Sequence, residues 1–173
     1  MKKLVVMFAV AAMAVCANAA AFNWKLQTGA DYAGMNVYAL SGTTAAAVLA
    51  ACQSSDTSVW ESIFSGASSF QVTGSNARAG ASGEVTGIND GDSFVWIVID
   101  GAVSDGSKYW VLNDYTIQAG STYEPPATGT QYTTKLTDQG VLGSGTFTAV
   151  PEPTSGLLML VGLAGLALRR RRA

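Results

Sequence analysis

Three uncharged, apolar stretches dominate the hydrophobic pattern of the chain, one near each end and one in the middle. They cover residues 4–16, 94–99 and 154–168. The middle stretch, Phe-Val-Trp-Ile-Val-Ile, has the length of a β-strand and does not alternate between apolar and polar positions. Strands of this kind are buried on both faces, so the pattern predicts a central strand that anchors a folded core.

Shorter segments on both sides of this strand have the residue usage of β-strands and are separated by turn-forming residues. Asn89-Asp90-Gly91-Asp92 is a strong turn signal, because these residue types tolerate positive φ. The pattern predicts a mainly β fold, a single β-sandwich-like domain whose strand topology stays open. The other predicted strands are 22–27, 35–40 (after a turn at 29–34), 69–73, 79–88, 108–113 (after a hairpin loop at 100–107), 115–118, 131–136 and 145–150.

A short helical insertion is predicted after the second strand. Residues 43–53 consist mainly of good helix formers. A second helix would start at Ser58, which forms a capping-box pattern with Glu61 three residues later. Trp60, Ile63 and Phe64 then fall on one helix face, at the i, i+3, i+4 spacing of a core-packed face.

The charge and the residue types of the region between the two terminal stretches exclude several classes of function. Residues 20–149 contain four basic and eleven acidic side chains, a net charge of −7, so a nucleic-acid partner is not expected. The chain has no histidine, which excludes Ser-His-Asp and Cys-His catalysis and imidazole metal sites. Cys52 is expected to be a buried structural thiol. We therefore predict a non-enzymatic protein with no catalytic residue, cofactor or metal site.

Two weaker binding signals remain open as alternatives. Four aspartates flank the central strand and could supply oxygen ligands for calcium, although turn chemistry explains each of them. Four aromatic residues could form a sugar-stacking platform, although core packing is favoured and Tyr109 and Trp110 must point to opposite faces. The aspartates are Asp90, Asp92, Asp100 and Asp105, and the aromatics are Trp96, Tyr109, Trp110 and Tyr115.

The N-terminal apolar stretch has the layout of a secretory signal peptide. Lys2 and Lys3 precede it, and Ala17-Asn18-Ala19 fits the small-x-small cleavage pattern. Residues 1–19 are therefore predicted to be a signal peptide, with Ala17 and Ala19 at the cleavage site.

The C-terminal stretch belongs to a three-part tail. The first part is Val150 with the motif Pro151-Glu152-Pro153, and the second is the uncharged segment 154–168. The third part is a run of four arginines, which ends one residue before the last position. Fifteen residues span about 22 Å as a helix, a marginal crossing of a bilayer core of about 30 Å. Terminal arginines can snorkel to the headgroups and favour the cytoplasmic side, which leaves the domain outside. The predicted cytoplasmic anchor is Arg169, Arg170, Arg171 and Arg172.

This order of motif, short span and arginine cluster resembles the PEP-CTERM sorting tail of exported proteins that an exosortase handles. The resemblance covers only the ends of the chain: it implies export, transient attachment to the inner membrane and removal of the tail. Signal peptidase and the exosortase are the implied processing partners, and the cell surface or extracellular matrix is the implied destination. The expected divisions are a signal peptide (1–19), an acidic β-rich extracytoplasmic domain (20–149) and the sorting tail (150–173).

The leading hypothesis is a surface or matrix protein with a structural or interaction role, for which extracellular polysaccharide is a candidate partner. The first alternative is a carbohydrate- or calcium-binding module, which needs an exposed aromatic strip or a cluster of carboxylate oxygens. The second is a carboxylate-dependent hydrolase, which needs a pocket with two acids in unlike environments.

Overall fold

A computed structural model describes residues 20–150, 159–161 and 163. The predicted signal peptide with Ala17 and Ala19, the motif residues Pro151, Glu152 and Pro153, and the arginines Arg169, Arg170, Arg171 and Arg172 lie outside the described residues. The elements follow in the order β1 (Ala21–Gln27), a 3-10 turn (Ala30–Tyr32), β2 (Asn36–Ser41), α1 (Ala45–Cys52), α2 (Thr57–Phe64), β3 (Ser69–Gln71), β4 (Gly80–Thr86), β5 (Ser93–Ile99), β6 (Lys108–Leu112), β7 (Tyr115–Thr116), β8 (Tyr132–Lys135), α3 (Leu136–Gln139) and β9 (Val141–Thr146).

The fold is mainly β, with two sheets and few helices, as the sequence predicts. One sheet has the strand order β4-β1-β8, and the other has the order β3-β2-β5-β6-β9, with β7 paired to β5 beside this path. Strands β1 and β8 run parallel, and the remaining pairs are antiparallel. A bridge between Thr73 and Gly80 ties the two sheets together at the corner where β3 meets β4.

Strand β5 is the central strand that the apolar run predicts. Phe94, Trp96 and Val98 face the core between the two sheets, where they join Phe22, Trp24 and Leu26 of β1. Val95, Ile97 and Ile99 face the helices on the other side. All of these side chains are essentially inaccessible to solvent. Each contributes about 1.5–3 kcal/mol by its burial, so both faces of β5 stabilise the fold.

The two helices after β2 form the layer over the second face of the larger sheet. Trp60 and Phe64 are buried there and Ile63 packs partly against them, which confirms the predicted apolar face of α2. The predicted capping box at Ser58 and Glu61 is wrong. The N-cap is Asp56, whose carboxylate accepts a hydrogen bond from the Ser58 amide at 2.8 Å. A good acceptor two residues earlier starts the helix first, and Ser58 then lies inside it.

The predicted turn at 29–34 connects strands β1 and β2, which belong to different sheets, so this segment crosses between layers. One further expectation differs from the structure. The last strand is Val141–Thr146 rather than 145–150, and α3 precedes it. Glycine-rich Val-Leu-Gly-Ser-Gly-Thr has weak β-propensity, but Gly143 and Gly145 lie directly under the side chains of Leu49 and Tyr109, where a Cβ atom would clash. Tertiary packing therefore decides this strand.

The membrane-spanning prediction for 154–168 falls mostly outside the described residues. Met159, Leu160, Val161 and Leu163 are helical and more than half exposed. Within the part of the chain that the structure describes, no helix is both long and apolar enough to cross a membrane.

Candidate functional site

The chain leaves the folded domain through residues 147–150, which we call the C-terminal strap. Its anchor is Phe147, whose side chain is fully buried against Trp60 and Tyr109, with ring centroids 4.9 Å away in each case. The backbone of Phe147 continues the ladder to the β5–β6 loop: its amide donates to the Ser107 carbonyl at 2.9 Å, and its carbonyl accepts from the Gly106 amide at 2.8 Å. The strap thus begins as part of the core.

The rest of the strap is held by two hydrogen bonds and by the partly buried Ala149 side chain, which packs against the core cluster that contains Phe147. The Ala149 amide donates to the Asp105 carboxylate at 2.8 Å, and the Val150 amide donates to the Ser55 carbonyl at 3.1 Å. Ser55 belongs to the loop between α1 and α2, and Asp105 to the loop between β5 and β6. Val150 itself is 59% exposed. The first residue of the predicted sorting motif therefore already lies on the domain surface.

A groove of about 700 Å³ lies next to the strap, on the helical side of the larger sheet. Its apolar floor includes Tyr38 and Phe64, which meet edge to face at 5.2 Å. Two exposed carboxylates, Glu61 and Asp105, stand at its rim. Hydroxyl groups of Thr57, Ser65, Ser69 and Ser104 also line the groove. An aromatic floor with acidic and hydroxyl groups around it suits a neutral, polyhydroxylated ligand.

The four aspartates singled out in the sequence do not come together. Asp90 accepts hydrogen bonds from the Gly120 amide at 2.6 Å and from the Thr122 amide and hydroxyl at 3.1 and 3.0 Å. These bonds, the Gly120 amide first, lower the pKa of Asp90 below its ordinary value. Asp92 accepts from the Asn89 amide within its own turn. Among the described residues, no group of three or more carboxylate or thiol side chains could hold a metal ion.

The four aromatic residues do not share one surface, although the rings of Trp96 and Tyr115 meet with centroids 5.2 Å apart. Trp96 is buried between the sheets and Tyr109 is buried under the helices, whereas Trp110 and Tyr115 are only partly buried. Tyr109 and Trp110 face opposite sides of the larger sheet, as their adjacent positions predict. These four residues therefore form no shared exposed platform.

Cys52 is buried in α1, as expected for a structural thiol. Burial raises its pKa to about 12, so the nucleophilic thiolate is suppressed at neutral pH. A disulfide between two copies would require an exposed Cys52, and the buried thiol does not meet that requirement. Burial also raises the pKa of the neighbouring Tyr109, with a smaller contribution from Cys52.

The groove residues and the strap contacts were not found from the sequence. Tyr38, Glu61 and Asp105 are widely separated along the chain, and no single sequence motif joins them. The sequence marks Asp105 as a turn residue and a candidate calcium ligand, but it does not indicate the contact with the strap. Its bond to Ala149 spans 44 positions, which no local pattern can indicate.

Comparison with known families finds one region of similarity. Residues 149–172 match the PEP-CTERM protein-sorting motif, which begins within the strap and continues to the arginine cluster. The chain has no significant match among curated proteins or among solved structures.

Proposed function

We propose, from the premise that this is a PEP-CTERM sorting-motif protein, that it is exported and processed by an exosortase, and that the released domain has a non-enzymatic role. The motif at 149–172 implies export, membrane-associated sorting and exosortase targeting. The proposed destination is the cell surface or the extracellular matrix, and the proposed role there is structural or interactive.

The observation that carries this proposal is the boundary at Val150. The hydrogen-bonded fold of the domain extends to this residue, within the first two positions of the matched sorting motif, and Pro151-Glu152-Pro153 follows it directly. Removal of the segment beyond the motif would therefore leave every described element of the two sheets intact. The lack of histidine, and the use of the Asp90 and Asp92 carboxylates as acceptors for backbone amides, support the non-enzymatic role.

The test is the intact mass of the protein from its native cells, with and without the exosortase gene. We expect the segment after about Pro153 to be missing only when the enzyme is present. A variant with Pro151, Glu152 and Pro153 all replaced by alanine should keep its tail, whereas Thr154→Ala should not. A tail that persists in both strains would show a permanent anchor and reject exosortase processing.

A second candidate function, binding of extracellular polysaccharide, is supported by the groove beside the strap. Tyr38 is its partly exposed aromatic residue, and flat aromatic faces bind sugar rings through apolar contact. Isothermal titration of the released protein with neutral oligosaccharides, and with polysaccharide from the same cells, tests this. We expect Tyr38→Ala to weaken binding roughly three- to tenfold.

Tyr32→Ala is the matched control, since Tyr32 is also partly buried but packs against Trp110 outside the groove. Equal affinity for the Tyr38 and Tyr32 variants would exclude the groove as the binding site.

A further inference from the structure

We propose that the C-terminal strap regulates processing: Ala149 and Val150 must detach from the domain before the exosortase can act on Pro151-Glu152-Pro153, which follows them. This inference rests on the proposed function and adds a step to it. The docked strap is the resting state of the unprocessed protein, and the undocked strap is the form that the enzyme binds.

The anchor residue Phe147 and the Pro-Glu-Pro motif are close together along the chain. Phe147 is fully buried, and only three residues separate it from Pro151. Four extended steps from Phe147 to Pro151 reach at most about 14 Å. The domain surface therefore stays beside the motif while the strap is docked, and no linker moves it away.

The backbone amides of Ala149 and Val150 are occupied while the strap is docked. A processing enzyme binds the chain around its target in an extended form, and the peptide groups of that chain must be available to it. The amides of Ala149 and Val150 already donate to the Asp105 carboxylate and the Ser55 carbonyl. They cannot donate to the enzyme at the same time. The two sets of bonds are therefore alternatives, and docking competes with processing.

Residues 148–150 can be released at the edge of the core, because Ala149 is only partly buried against the cluster that contains Phe147. Asp105 and Ser55 are both exposed, whereas the ladder at Ser107 and the aromatic contacts of Phe147 lie further in. Exposed hydrogen bonds at the end of a chain open more readily than a buried aromatic anchor. We place the hinge after Phe147, so that residues 148–150 detach while Phe147 stays in the core.

The test uses the full chain in its native cells, with pulse labelling and measurement of the rate at which the precursor loses its tail. Asp105→Ala removes the acceptor for the Ala149 amide. We expect tail removal to be about two- to tenfold faster than in the wild type. Asp100→Ala is the matched control in the same loop, because no described hydrogen bond involves its side chain, and it should be processed at the wild-type rate.

A second variant leaves Asp105 unchanged. Insertion of Gly-Ser-Gly-Ser between Ala149 and Val150 extends the motif away from the domain and should also accelerate tail removal. The same insertion between Ala127 and Thr128, in an exposed loop, should have no effect on the rate. Hydrogen exchange of the precursor, purified from cells without the exosortase, should show faster exchange at Ala149 in Asp105→Ala than in the wild type.

The outcomes separate this inference from the function on which it rests. If the wild type keeps its tail in both strains, exosortase processing is rejected, and the regulatory step with it. If the wild type is processed but Asp105→Ala and the 149/150 insertion leave the rate unchanged or lower it, the sorting function stands and the strap does not limit it.

Discussion

Asp90 shows how one side chain joins distant parts of this fold. The sequence predicts its turn, because Asn-Asp-Gly-Asp favours positive φ, and Gly91 has φ of 89°. The sequence does not predict its partners, Gly120 and Thr122, which lie about thirty residues further along. Their hydrogen bonds stabilise the ionised carboxylate, and this is why the pKa of Asp90 is lowered.

A lowered pKa makes the stability of the fold depend on pH at this residue. The contribution of Asp90 is present above its unfolded-state pKa and is lost as the pH falls through the lower folded-state value. We expect Asp90→Asn to lower the urea midpoint of unfolding at pH 7 and to reduce the difference between the midpoints at pH 7 and pH 3.

Asp31→Asn is the control for this change, since the Asp31 side chain is exposed and no described hydrogen bond involves it. Urea titrations at the two pH values measure the effect. Parallel loss of stability in the wild type and Asp90→Asn on acidification would show that Asp90 does not contribute to the acid sensitivity.

At the scale of elements, helix α2 shows the difference between finding an element and placing its end. The spacing of Trp60, Ile63 and Phe64 predicts the helix and its buried face correctly, because that periodicity is local. The predicted start of α2 is wrong: Ser58 and Glu61 match a capping box, but Asp56 is the residue that caps the helix. The Ser58 hydroxyl also donates to the Asp56 carboxylate, at 2.7 Å.

The two interpretations of the cap predict different effects of mutation. We expect Asp56→Ala to lower the melting temperature, since the Ser58 amide loses its acceptor, and Glu61→Ala to leave it nearly unchanged. Thermal unfolding followed by circular dichroism measures both, with Ser62→Ala as an exposed mid-helix control. A larger loss in Glu61→Ala than in Asp56→Ala would favour the capping box.

Strand β9 marks the limit of prediction at the same scale. Its residues have weak β-propensity, and the strand predicted at 145–150 begins four residues after the observed start at Val141. Pairing with β6 and the close approach of Leu49 to Gly143 select this segment. Such contacts depend on which strand pairs with β9, and strand pairing is decided only when the sheet assembles.

At the scale of the whole molecule, the chain combines an acidic folded domain with a sorting tail. The eleven acidic and four basic side chains of residues 20–149 are distributed over loops, helices and strands, which gives the domain a net charge of −7. The strap is where the two parts meet, and the groove lies beside it. The rate of tail removal is therefore a property of the whole molecule, because it depends on how the domain and the motif are joined.

The sequence by itself determined the mainly β class, the central strand, the position of the helical insertion and the sorting motif. Each of these features depends on residues that are neighbours in the sequence, in the form of an apolar run, a helical periodicity or a short motif. Only the tertiary structure decided the division of strands between two sheets, the cap of α2, the groove and the docking of Ala149 on Asp105. These features join residues that are far apart along the chain, and they arise only when the sheets and helices pack together.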